Sequence, residues 1–582
     1  MKKKMTARVL SLIMAGVLTA GALAGCGGNS DGGGSGKEYS QQEDGGQSST
    51  ADDAADGRSD MGMEPLPEAS SAAGGMYDSV ADFAAEAPMG MMLEEEACYD
   101  YDYGYGEVPG NYNTEEYSTI EENPFMSVAI SPLSTFSADV DTASYANLRR
   151  MIQNGYTSAD IPSGAVRTEE MLNYFTYDYD GPKKGEPFGV TATISECPWN
   201  ENAELLVLGL QTEAIDFSDA PDSNLVFLID VSGSMYDDNK LPLLKQAFGM
   251  LIDNLGEKDR VSIVTYASYN EVVLEGVPGS EKDTILDALN GLEAGGSTNG
   301  GEGIMTAYAL AEKYFIKGGN NRIILATDGD LNVGITSESA LHDLVEEKRE
   351  TGVFLSVLGF GMGNYSDTNM ETLADYGNGN YAYIDSVSEA RKVLVEEMGA
   401  TLVTVAKDVK LQIEFNPAVV AEYRLIGYEN RTMAAEDFDN DEKDAGEIGA
   451  GHSVTVVYEI ITCENAQGSG EELRYQETHL SELALNSDEW MTLSIRYKEP
   501  DGDVSKLLEY PIGADDYTQR PSDDFIFAAA VAEFSMVLRG SEYLGDGSCE
   551  DVLDMLDDIN LNDEYKEEFY HLVDLIRAQE NF

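Results

Sequence analysis

Between Leu225 and Ala400, short apolar runs alternate with stretches whose apolar residues recur every three or four positions. The runs at 225–229, 260–267, 322–327, 353–360 and 380–384 predict strands, with an edge strand near 271–275. The periodic stretches at 240–254, 282–292, 302–316, 337–349, 367–376 and 387–400 predict helices. Alternation of this kind points to an α/β fold, a doubly wound, mostly parallel sheet with helices on both faces.

The flanking patterns differ. Residues 188–196 and 204–212 read as strands before the alternating region, and 408–415, 421–428, 453–462 and 490–497 as strands after it. Residues 522–539 and 548–578 carry helical patterns. The paired strands on either side predict a β-rich, sandwich-like domain into which the α/β domain is inserted, followed by C-terminal helices. The expected divisions are 1–26, 27–120, 121–215, 220–402 and 405–582. Asp141 is a candidate N-cap for a helix carrying Ala146, Leu148, Met151 and Ile152. Asp139 and Asp141 are also candidate metal ligands, although capping and turn roles are commoner. The acidic run Glu436–Asp444 has Glu442 where a calcium loop needs glycine, so it reads as a solvated loop.

The first 26 residues read as an export signal. Lys2, Lys3, Lys4 and Arg8 form a basic head, and Val9–Ala24 is apolar but too short for a comfortable membrane span. The segment ends Leu23-Ala24-Gly25-Cys26, which resembles a bacterial lipobox, so Cys26 is the expected lipidation site. This predicts an extracytoplasmic protein held to the cell membrane, at the bacterial surface, by lipid alone. Residues 27–120 are rich in Gly, Ser, Asp, Glu and Ala without sustained periodicity, and read as a disordered acidic tether.

The formal charge is −71 over 582 residues. Nucleic acid is excluded as an expected partner, because phosphate binding needs basic surface. Besides Cys26, the cysteines are Cys98, Cys197, Cys463 and Cys549, too few for a disulfide scaffold. Cys197 and Cys463 lie in strand-like segments on opposite sides of the central domain and form a candidate pair.

The chemistry concentrates in three loops. Asp230, Ser232 and Ser234 stand in Asp-Val-Ser-Gly-Ser after one apolar run, and Asp328 follows another in Ala-Thr-Asp-Gly-Asp. Thr298 lies in the glycine-rich Gly-Gly-Ser-Thr-Asn before a helical pattern. Carboxylates and hydroxyls are hard ligands suited to Mg²⁺ or Mn²⁺. Loops at the carboxyl ends of parallel strands converge on one crevice. Asp330 is the alternative to Asp328, which is preferred because it immediately follows its strand.

These motifs resemble a von Willebrand factor A domain with an intact metal-ion-dependent adhesion site (MIDAS). Pro132–Ser137, Asp139–Tyr145, Arg167–Phe175, Thr327–Gly334 and Asp523–Phe534 also resemble the bacterial YfbK-type A-domain lipoproteins. The resemblance implies a Mg²⁺ or Mn²⁺ ion held by Asp230, Ser232, Ser234, Thr298 and Asp328, with one position left for an acidic side chain from a protein partner. The implied function is that of a surface-anchored, metal-dependent binding protein. The alternative is a non-catalytic scaffold for an envelope complex with a structural metal. No enzyme is expected: His342, His452, His479 and His571 form no His-Glu-x-x-His pattern, the chain has no phosphate-loop lysine motif, and none of the predicted strands leads into a Gly-x-Ser-x-Gly elbow.

Overall fold

The structure is a computed structural model that describes residues 115–580, except 216–219, 297–300, 330–337, 364–365, 398–401, 467–478 and 501. The signal, Cys26, Cys98 and almost all of the expected tether lie outside the described residues. The described chain opens with β1 (Met126–Ser127), β2 (Leu133–Ser137), α1 (Ala143–Gln153), α2 (Thr168–Asn173), β3 (Phe188–Glu196) and β4 (Glu204–Thr212). The α/β region then runs β5 (Ser223–Asp230), α3 (Leu241–Asn254), β6 (Arg260–Tyr266), β7 (Asn270–Pro278), α4 (Lys282–Asn290), α5 (Gly301–Lys313) and β8 (Asn320–Thr327). It continues through α6 (Glu338–Arg349), β9 (Phe354–Phe360), α7 (Asp367–Tyr376), β10 (Tyr381–Ile384) and α8 (Val387–Arg391). Strands return as β11 (Thr404–Phe415), β12 (Val420–Ile426), β13 (Gly446–Gly449) and β14 (Ser453–Thr462). After α9 (Glu482–Asn486) come β15 (Glu489–Lys498) and β16 (Lys506–Gly513), then α10 (Asp523–Arg539), α11 (Cys549–Asp557) and α12 (Glu564–Glu580).

The central sheet has the order β10-β9-β8-β5-β6-β7 and is parallel except at its antiparallel edge strand β7. Every residue of β5 is buried, which explains why its sequence is a continuous apolar run instead of an alternating one. One face packs on α3, α4 and α8, where the Phe227 and Phe248 rings stack at 4.4 Å. The other face packs on α5, α6 and α7, and Ala143 and Ala146 of α1 join that core.

Around this domain, β1-β12-β14-β4-β3 form one antiparallel sheet. The second sheet is β13-β11-β15-β16, with β2 paired along β11. Leu206, Leu208 and Leu210 of β4 point into the sandwich with Ile413, Phe415 and Ile495. The intervening Leu205 and Val207 face a second core shared with Leu172 and the C-terminal helices. Burial on both faces accounts for the unbroken run Leu205–Leu210, and each such side chain contributes about 1.5–3 kcal/mol. Strands from before and after the α/β region thus share both sheets, as the strand patterns on either side of it predict.

Several expectations change in detail. The helical pattern at 548–578 is two helices, α11 and α12, separated by the Asp- and Asn-rich stretch 558–563. The helix expected over 387–400 is α8 followed by one π-helical turn, Lys392–Glu396. The N-cap of α1 is Thr142, not Asp141. Asp141 Oδ1 instead accepts the Tyr381 N–H at 2.8 Å, tying the amino-terminal segment to β10. The tether ends before 120: Glu115 accepts hydrogen bonds from the Arg150 guanidinium and the Gly363 N–H, and Asn147 donates to the Tyr117 hydroxyl. Within the acidic run, Phe438 is buried and Asp444 pairs with Arg349, so the segment is not wholly solvated. β13 and β16 were not evident from sequence patterning.

Candidate metal centre at the carboxyl ends of β5 and β8

β5 pairs with β8, and the connections leaving their carboxyl ends run opposite ways across the sheet, from β5 to β6 and from β8 to β9. This is the switch point at which α/β sheets open a crevice. Asp230 ends β5 and Asp328 directly follows β8, and the two strands pair in parallel up to Ile229 and Ala326. Both carboxylates are buried.

The turn after β5 is held locally. Asp230 Oδ1 accepts the Ser232 N–H at 2.8 Å, and Asp230 Oδ2 accepts the Thr327 hydroxyl at 3.3 Å. Burial, with the nearby Asp328 charge, pushes the Asp230 carboxyl up to about 6 despite these hydrogen bonds. Ser232 Oγ and Ser234 Oγ lie 2.9 Å apart; Ser232 is buried and Ser234 exposed. The donors therefore run from the carboxyl end of β5 out to solvent.

The glycine-rich loop docks onto this turn through its backbone. The Gly233 N–H donates to Gly296 O at 3.1 Å, and the Gly295 N–H donates to Val231 O at 2.8 Å. Gly296 has φ +87°, and a Cβ there would lie 2.6 Å from Ser268 Oγ, so a side chain is excluded on both counts. Thr298, two residues further on, and Asp330 lie outside the described residues.

Two carboxylates and two hydroxyls thus gather at one end of the sheet, all hard oxygen donors fitted to a small divalent cation. Among the described residues, no group of three or more His, Cys, Asp or Glu could hold a metal ion, so the centre rests on two carboxylates and the serine hydroxyls.

A model of the von Willebrand factor type A domain matches residues 224–397, and one described as von Willebrand factor matches 111–207. A model of the C-terminal region of the uncharacterized protein YfbK matches 400–578. The uncharacterized protein YfbK of Escherichia coli (strain K12) is 45% identical over 474 residues, spanning 80% of this chain and 81% of that one. This chain belongs to the YfbK family.

More distant relatives share a smaller region with this YfbK-family chain. The uncharacterized protein sll0103 of Synechocystis is 31% identical over 170 residues, 29% of this chain and 39% of that protein. Inter-alpha-trypsin inhibitor heavy chain H4 of Homo sapiens is 29% identical over 146 residues, 24% of this chain and 16% of that protein. Among solved structures, a von Willebrand factor type A protein from Catenulispora acidiphila has a TM-score of 0.39 at 16% identity, covering 70% of this chain and 91% of that one. Domains of this type commonly mediate metal-dependent protein interaction and typically bind a divalent metal at such a site.

One member of the YfbK-family centre escaped sequence reading. Lys240, just ahead of α3, is buried, and its Nζ donates to Asp328 Oδ2 at 2.9 Å. No sequence signal marked it: Lys240 closes the Asp-rich stretch Tyr236-Asp-Asp-Asn-Lys240, between the motif and the helix, where a lysine reads as solvated. The candidate pair Cys197–Cys463 is not formed. Cys197 is buried with Sγ toward Glu459, whereas Cys463 is exposed with Sγ toward Pro417 O, and both are free thiols.

Proposed function

We infer that the protein is a lipid-anchored, extracytoplasmic binding module whose Mg²⁺ or Mn²⁺ ion, held by Asp230, Ser232, Ser234, Thr298 and Asp328, accepts a carboxylate from a protein partner. The observation that carries this reading is the gathering of buried Asp230 and Asp328 with the Ser232–Ser234 hydroxyl pair, which reaches exposed Ser234. A carboxylate from outside is attracted to an ion whose remaining ligands are neutral hydroxyls. The anchor rests on the Leu23–Cys26 box and the basic, apolar segment ahead of it. Among the described residues no helix is long and apolar enough to cross a membrane. The role is non-catalytic, since no nucleophile–base pair or histidine accompanies the metal motifs in sequence.

The test is capture of solubilised envelope proteins on the immobilised mature chain, in Mg²⁺ and in chelator, beside Asp230→Ala. A partner retained only with Mg²⁺ and intact Asp230 supports the reading. Capture indifferent to both overturns it and moves recognition to the sandwich.

A further inference from the structure

The Lys240 ammonium sits 2.9 Å from Asp328 Oδ2, and both side chains are buried. Its position is built. The stem lies against Gly361, in the turn after β9, where φ is +80°. A Cβ on Gly361 would fall within 2.8 Å of Lys240 Cγ, Cδ and Cε. Gly361 therefore leaves the channel through which the lysine reaches the carboxyl end of β8.

Resting on the metal reading above, we propose that Lys240 sets the net charge of the centre, weakening its hold on the cation while strengthening its hold on a partner's carboxylate. The two ionised aspartates cancel a divalent ion, and the serine hydroxyls are neutral. With Lys240 counted, the loaded centre keeps one positive charge, and an incoming carboxylate brings it to neutrality. Without Lys240, the loaded centre would be neutral and the carboxylate would leave it negative. The same ammonium repels the ion and occupies one oxygen of a ligand. In a buried site, unit charges a few ångströms apart change affinities by about tenfold or more. Lys240 is a positioning and charge-setting residue; it does not ligate the ion.

The experiment titrates Mn²⁺ into the mature full chain, read by the electron paramagnetic resonance of free Mn²⁺. Acetate is then titrated into the Mn²⁺-loaded protein, read by water-proton relaxation. Lys240→Met is expected to bind Mn²⁺ about tenfold tighter and acetate about tenfold weaker, while Lys240→Arg matches the wild type. In chelator, Lys240→Met should melt below the wild type, because buried Asp328 loses its counter-charge, and Mn²⁺ should close that gap. A merely structural lysine would give a melting deficit that Mn²⁺ leaves in place and two unchanged affinities; that result overturns the proposal. If Lys240→Met does not fold, Lys240→Gln keeps a hydrogen-bond donor without the charge and reads the same two affinities. Wild-type protein that binds no Mn²⁺ overturns the metal reading itself. Binding in the wild type with no change in the neutral variants overturns the role of Lys240 alone.

Discussion

Arg149 on α1 bonds Glu389 on α8 at 2.7 Å, joining the amino-terminal segment to the carboxyl-terminal part of the A domain. The same guanidinium bonds Asp385 at 2.6 Å and Glu568 of α12 at 2.9 Å, and the Tyr174 hydroxyl completes the cluster by donating to Glu389 at 2.8 Å. Lys392, in the π turn after α8, lies 4.6 Å from the centre of the Tyr174 ring. Two helices outside the A domain therefore hold α8 in place.

Arg149→Met removes the guanidinium that bridges buried Asp385 and Glu389. We expect a loss of about 3–5 kcal/mol, measured by urea unfolding of the full chain. Glu568 is about a third exposed, and Glu568→Gln should cost less than 1 kcal/mol. Equal losses in the two variants would contradict this assignment.

Glu533 on α10 is buried, with the Ser548 backbone N–H as its hydrogen-bonding neighbour. Burial, reinforced by Asp551, raises its carboxyl from the ordinary 4.5 to about 7. A carboxyl raised on folding favours the fold most below pH 4.5, and that contribution is lost as pH rises through 7. Stability should therefore fall between about pH 4.5 and 7, with Glu533 accounting for about 3 kcal/mol of the change. Glu533→Gln should remove that share and melt above the wild type at pH 8. Parallel wild-type and variant melting profiles across this range would refute the assignment.

Metal binding should raise thermal stability, because an ion held by the folded centre and not by the unfolded chain shifts the equilibrium toward folding. At Mg²⁺ a hundredfold above its dissociation constant, the gain is about 2.7 kcal/mol. Chelator should reverse it, and Asp230→Ala should abolish it. Calorimetry in Mg²⁺ and in chelator checks all three outcomes.

Cys463 is exposed, whereas Cys197 and Cys549 are buried, and burial also pushes the Cys197 thiol up by disfavouring the thiolate. A maleimide reagent should label Cys463 in the native protein and reach Cys197 and Cys549 only after unfolding. Peptide mapping distinguishes the sites. Native labelling of Cys197 would contradict the packing around Trp199 and Glu459.

Asp230, Ser232, Ser234 and Asp328 were legible because each sits beside a strand whose apolar run marks its carboxyl end. The sandwich was legible for a similar reason: β14 and β15 carry clear strand patterns, and β4 carries a run too apolar for a surface strand. Lys240 was not legible, because a lysine in an Asp-rich loop looks solvated, and the glycine that makes room for it belongs to a distant turn. Arg149 and Arg431 were hidden in the same way. Their carboxylate partners come from elements far apart in the chain; Arg431, for instance, bonds Asp375 at 2.6 Å and pairs with Asp139 at 3.4 Å. Sequence period reports which face is buried, not which charges meet across it. The fused reading of α11 and α12 has a local cause: both carry the same helical period, and only the Asp- and Asn-rich link interrupts it.

The pairing of β4 with β14 joins residues on either side of the A domain: the Thr212 hydroxyl donates to His452 O, 240 residues away. Closing a flexible loop of that length is entropically costly, and non-local pairings of this kind form slowly. The A domain removes much of that cost, since Pro221 at its start and Val403 just past its end line one cleft. Folded first, it turns a long wandering loop into a short staple between two half-sandwiches.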